Sequence, residues 1–129
     1  MPEPPEGSTA LSRPPPSRFR RWWSRRVVVR DESMLPTLRP GDRLLVDRHA
    51  YRDRPPRVGD VVVLVDPTDA KLWLVKRVAQ VDPSQGSVEV RGDAAEMARD
   101  SRQFGPVPTR SVVGRVYRCY FPPDRRREL

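Results

Sequence analysis

The sequence predicts an all-β fold of about six strands, mostly antiparallel. Three observations carry this. From residue 27 onward, short Val-rich runs of strand length recur. Clusters of Pro, Gly and Asp, the residues of tight turns, separate them. No ten-residue stretch repeats its apolar positions every 3.6 residues, as a packed helix would.

The expected strands are residues 27–30, 43–47, 61–65, 72–81, 87–91 and 112–121. The breaks are Arg39-Pro40-Gly41-Asp42, the stretch from Pro55 to Asp60, Asp66-Pro67, and the stretch from Asp82 to Gly86. Residues 94–100 have the composition for a helical turn or two. Residues 1–17 are too poor in apolar side chains to offset the entropy of ordering, and six of the 16 prolines fall in the first 16 residues. The expected organisation is a disordered Pro/Arg-rich tail over 1–26, a folded domain over 27–123, and a frayed C-terminal tail over 124–129.

At 129 residues the chain has room for one domain. Its longest apolar run, 61–65, is far short of the roughly 20 residues of a membrane-spanning helix. The first 30 residues hold no apolar core of a secretory signal, which needs about 7–15 residues. One Cys cannot form an internal disulfide, and one His cannot build a zinc site alone. The expected setting is a reducing cytoplasm.

Net charge is +8, and only Lys71 and Lys76 among the 25 cations are lysines. A stretch at the end of the tail combines Arg18, Arg20, Arg21, Arg25 and Arg26 with Phe19, Trp22 and Trp23. Three readings fit it: a lid packed on the domain, contact with an anionic membrane face, or stacking on single-stranded nucleic acid. Nucleic acid is the least favoured, because the strands carry no array of aromatics for bases to stack on.

Catalytic options are few. His49 is the sole histidine, and no Ser lies in a GxSxG turn. Cys119, in an alternating aromatic strand, reads as a core residue. Ser with Lys remains. A lysine acts as a base only when neutral, and burial lowers its pKa. Arginine cannot replace it, because it stays protonated. Lys76 lies among Leu72, Trp73, Leu74, Val75 and Val78, and strand alternation turns it inward while Arg77 turns to solvent.

Ser33 completes the pair. The run Ser33-Met34-Leu35-Pro36-Thr37-Leu38, then Pro40-Gly41-Asp42, Gly59-Asp60, Val75-Lys76-Arg77, Gly92-Asp93 and Asp100-Ser101-Arg102 resembles the type I signal peptidase family, in the family's order. The resemblance implies a signal-peptidase-like catalytic β-domain and a serine endopeptidase with a Ser/Lys dyad. Ser33 would attack, and Lys76 would serve as base. The Ser33 N–H would hold the oxyanion, and Met34 and Pro36 would line the substrate cleft. Gly92, Asp93, Asp100, Ser101 and Arg102 would support the site. It implies no metal and no cofactor.

Three positions depart from the family pattern. Asp31 stands where a Ser or Gly is usual, and an ionised carboxylate cannot donate to an oxyanion. Ala98 stands where a Ser usually orients the lysine. There is no span for an anchor and no room for the large extra β-domain. That economy is similar to the maturation proteases of nickel-type superoxide dismutase, which implies the dismutase precursor as substrate. Two further enzyme readings are a minimal signal peptidase held on the membrane face through Arg18, Arg20, Arg21, Trp22 and Trp23, and a self-cleaving repressor-type domain. The non-enzyme alternative is a basic nucleic-acid-binding β-barrel.

Overall fold

The computed structural model describes residues 24–129. The eight strands are β1 (Ser24–Val28), β2 (Arg43–Asp47), β3 (Val61–Asp66), β4 (Asp69–Asp82), β5 (Ser87–Arg91), β6 (Val107–Pro108), β7 (Val112–Phe121) and β8 (Arg127–Glu128). A 3-10 turn, Ala95–Met97, and a short helix, α1 (Ser101–Phe104), follow β5, and two further 3-10 turns, Thr109–Ser111 and Pro123–Arg125, flank β7. All strand pairings are antiparallel, and the sheet runs β1-β2-β7-β3-β4-β5-β6, with β8 added on β7. The all-β expectation holds.

The central strand shows why the sheet coheres. Along β3, Val61 and Val63 enter one core cluster with Met34, Leu38, Leu44, Val46 and Cys119. Val62 and Leu64 enter another with Val78, Val88, Val90 and Val107. Successive side chains point to opposite faces, so a strand buried on both sides needs an unbroken apolar run, as here. At about 25 cal/mol per Å² of apolar surface removed from water, such burial is the main force holding the sheet.

Several elements differ from expectation; β4, for one, runs over Asp69–Asp82 rather than 72–81. β1 begins at Ser24, so Ser24–Arg26, assigned to the tail, pair with Leu45, Val46 and Asp47. β6 and β8 fall outside the six expected runs, because two residues cannot display a period.

The C-terminal residues expected to fray are seated. Arg125 Nε and Nη2 donate to the two carboxylate oxygens of buried Asp42 at 2.7 and 2.9 Å. Arg127 bonds the Thr37 carbonyl, and the Leu129 N–H donates to Tyr117 O at 3.1 Å. A buried carboxylate needs a cation, and the polar end of the chain supplies it. Burial pushes the Asp42 pKa up, but the bonds from Arg125 and the Arg39 N–H outweigh this and hold it low.

Candidate active site

The chain leaves β1 and folds back as the loop carrying Ser33. The Val29 N–H donates to Asp42 O and the Gly41 N–H to Val29 O, closing the loop at its base. Gly41 makes this turn with a φ of +96°, which side-chain-bearing residues rarely adopt. Inside the loop, the Leu38 N–H donates to Met34 O at 2.9 Å, and the Ala94 N–H to Ser33 O at 2.9 Å. Ser33 is thereby fixed from both sides and is itself buried.

Lys76 lies on β4 opposite Val62 and is 2% exposed. Its Nζ donates to Ser33 Oγ at 3.1 Å. Burial drives the Lys76 pKa down. The charges of Asp31 and Asp100 oppose this, and those of Arg99 and Arg102 reinforce it. Once the amine is neutral the contact reverses, and the hydroxyl donates to nitrogen. That is the geometry in which a lysine activates a serine.

The supporting residues form two braces. Asp100 Oδ2 accepts the Gly92 N–H at 2.8 Å, and the same carboxylate takes Arg102 through its N–H and guanidinium. Burial raises the Asp100 pKa, but these bonds prevail and leave it at about 2. Asp100 also caps α1, and the Ser101 Oγ accepts the Val90 N–H at 2.8 Å. Ser101 thus anchors the end of β5 rather than Lys76.

The second brace was not legible beforehand. Arg77, expected in solvent, forks onto Asp93 through Nε and Nη2 at 2.9 and 2.8 Å, and Nη1 reaches Gly59 O. Asp93 Oδ2 also accepts from Thr37 Oγ1 at 2.6 Å. One carboxylate therefore ties the nucleophile loop to the strand that carries the lysine. The signal available was an Arg directly after the lysine together with the Gly92-Asp93 pair.

Gly92 is required by contact. A Cβ there would stand 2.5 Å from Ala98 Cβ and 2.6 Å from Ser33 O. Gly92 is small because it backs directly onto the nucleophile's carbonyl, with Ala98 packed behind it.

Of the two expected cleft residues, Met34 lies in the core. Met34 is 1% exposed and belongs to the core cluster, where it pins the loop from beneath. It lies in the core because the side chain next to a buried nucleophile points into the domain. Exposed Pro36 faces the C-terminal residues, sharing a pocket with Thr37 and residues 124–127. Cys119 is buried in the core, as expected. Arg18, Arg20, Arg21, Trp22 and Trp23 lie outside the described residues. Among the described residues no helix is long and apolar enough to cross a membrane.

A buried amine against a serine hydroxyl, on an antiparallel sheet with open edges, is the arrangement of a serine peptidase of the Ser/Lys class. A family model described as signal peptidase, peptidase S26, matches residues 19–85, just over half of the chain and inclusive of Ser33 and Lys76. The chain belongs to this family of serine endopeptidases. It is 39% identical over 105 residues to mitochondrial ATP-independent inner membrane protease subunit 1b of Arabidopsis thaliana, covering 65% of this chain and 62% of that protein. It is 32% identical over 117 residues to subunit 1a of the same plant, covering 74% and 70%. A probable signal peptidase I-1 of a Synechocystis strain is 27% identical over 139 residues, covering 75% and 71%. The chain spans just under two thirds of the first of these relatives.

Proposed function

We propose that Ser33 and Lys76 are the catalytic dyad of an endopeptidase that removes an N-terminal extension from a precursor protein. The observation that carries this is the 3.1 Å contact between Lys76 Nζ and Ser33 Oγ, with both residues buried. Ser33 Oγ attacks the scissile carbonyl carbon as its proton passes to neutral Lys76. The tetrahedral intermediate collapses, and Lys76 returns the proton to the departing amine. Water then attacks the acyl-enzyme, with Lys76 again as base, and releases the new carboxylate.

Two sheet edges lead to the dyad. Among the described residues β1 pairs only with β2 and ends the sheet order. Among them, too, the first half of β4 pairs with β3 alone, since β5 joins only from Arg77 onward. The Arg25 guanidinium lies over the Trp73 ring, 5.0 Å from its centroid, and so links the two segments. An extended peptide fits such edges by adding a strand, which presents its backbone to Ser33.

The substrate we favour is the precursor of a nickel-type superoxide dismutase. Its support is the spelling of the motifs from Ser33 to Arg102. A second reading, a minimal signal peptidase working on membrane-presented peptides, has its own observations. Leu72 and Trp73 are exposed beside Arg25, and similar proteins are named as inner membrane protease subunits.

The test is intact-mass analysis of the precursor incubated with the wild type, Ser33→Ala and Lys76→Ala. A single cut by the wild type alone supports dyad and substrate together. No cut of this precursor, with a Ser33-dependent cut of signal sequences on anionic vesicles, favours the second reading.

A further inference from the structure

The oxyanion donor of this site is already occupied. The Ser33 N–H, which the dyad reading assigns to the negative oxygen of the tetrahedral intermediate, donates to Asp31 Oδ1 at 3.1 Å. Asp31 is exposed and stands two residues before the nucleophile, so its short side chain folds back on the loop it belongs to. The same carboxylate acts on the base. Of the charges that favour protonated Lys76, Asp31 has the largest influence.

We infer that Asp31 is a gate on the oxyanion site: in the free enzyme its carboxylate caps the Ser33 N–H and sets a negative charge beside the dyad, and the substrate displaces it. This inference rests on the Ser33–Lys76 endopeptidase reading. A carboxylate is a stronger acceptor than a neutral carbonyl, so a loosely seated peptide competes poorly for the amide. The oxygen of the tetrahedral intermediate carries a full charge and competes well. The cap therefore delays reaction until the peptide is held along its length, and Asp31 acts by positioning rather than by chemistry. Because Asp31 is exposed, its carboxylate can turn into water without leaving a buried charge behind.

The charges around Lys76 show why Asp31 fits this role. Asp100 is held by Arg102 and by the Gly92 N–H, and Arg99 is held by Asp66 at the end of β3. Arg77, the next residue on β4, is committed to Asp93. Among the described residues Asp31 is held by an amide, not by a cation, and the substrate needs that amide.

Two substitutions separate the halves of the gate. Asp31→Asn removes the charge but keeps an acceptor for the Ser33 N–H. Asp31→Ala removes both. Glu32→Gln, on the exposed neighbour, removes an equal charge as a control. Cleavage of the precursor is followed as kcat/KM from pH 5 to 10, and Lys76 is titrated in each free enzyme by carbon NMR of labelled lysine. Asp31→Asn is expected to move the acid limb and the Lys76 titration to lower pH together. A downward move of one unit raises the neutral fraction, and the rate at pH 7, about tenfold. Asp31→Ala is expected to raise kcat/KM further by freeing the amide, while Glu32→Gln follows the wild type. An unchanged acid limb and Lys76 titration in both Asp31 variants overturns the gate while leaving the dyad intact. Loss of activity in Asp31→Ala with an unchanged Lys76 titration overturns it too. Full activity in Ser33→Ala would instead remove the dyad reading, and the gate with it.

Discussion

Replacing Gly92 by Ala isolates what the close packing behind Ser33 contributes. The new Cβ would stand 2.6 Å from Ser33 O, about 0.8 Å short of the 3.4 Å where ordinary contact begins. Its other neighbour, Ala98 Cβ at 2.5 Å, has no torsion with which to retreat. The Ser33 carbonyl must yield, although the Ala94 N–H holds it at 2.9 Å. The nucleophile then moves by most of an ångström relative to Lys76, and a misplacement of about 1 Å costs on the order of 100-fold in rate. The overpacking itself costs about 1–3 kcal/mol of stability. Gly114→Ala is the matched control: its Cβ would meet Asp47 O at 2.4 Å, between β7 and β2, away from the dyad. The assay is kcat on a peptide spanning the cleavage junction, with a thermal melt of each variant. Gly92→Ala should lose rate beyond its loss of folded protein, and Gly114→Ala should lose stability alone. Wild-type kcat in Gly92→Ala would refute the claim that this contact sets the position of Ser33.

Lys76→Arg should be as inactive as Lys76→Ala, because arginine stays protonated. Activity of the wild type should rise with pH as Lys76 loses its proton, with a midpoint below the ordinary lysine value of 10.5, and a rate flat from pH 5 to 10 would contradict this. Asp100 has a folded pKa of about 2 against an ordinary 3.8, so its contribution is complete above pH 4 and lost as pH falls through 2. That contribution is about 2 kcal/mol by linkage, and Asp100→Asn should flatten the stability profile between pH 4 and 2 in denaturant melts. Arg125→Ala strands the buried carboxylate of Asp42 and should cost about 3 kcal/mol in urea unfolding, where an unchanged midpoint would show that the C-terminal residues do not clamp the loop.

Much of this was legible in the sequence for physical reasons. β2, β5 and β7 match the expected boundaries because β-branched runs end there at Pro, Gly or Asp. Lys76 stood out because a chain dominated by arginine had kept lysine at an apolar position. Contacts between distant charges were not legible. Arg77 looked like a solvent residue because alternation says which face a side chain takes, not what waits there. Asp93, its partner, lies 16 residues away. Arg125 and Arg127 looked like a fraying end because local polarity does not reveal that Asp42 is buried 83 residues earlier. Met34 lies in the core because adjacency to a nucleophile in sequence does not imply exposure to substrate. Asp31 was recognised as a departure, but its bond to the Ser33 N–H required coordinates.

The central claim is that Lys76 is a base rather than a buried cation. With only two lysines in the chain, carbon NMR of protein labelled at the lysine ε position gives two side-chain signals. Lys76→Arg identifies the one that belongs to the site. The account predicts that this signal titrates well below the ordinary lysine value of about 10.4. Titration at that ordinary value would mean that Lys76 is charged wherever the enzyme works and cannot take the proton of Ser33.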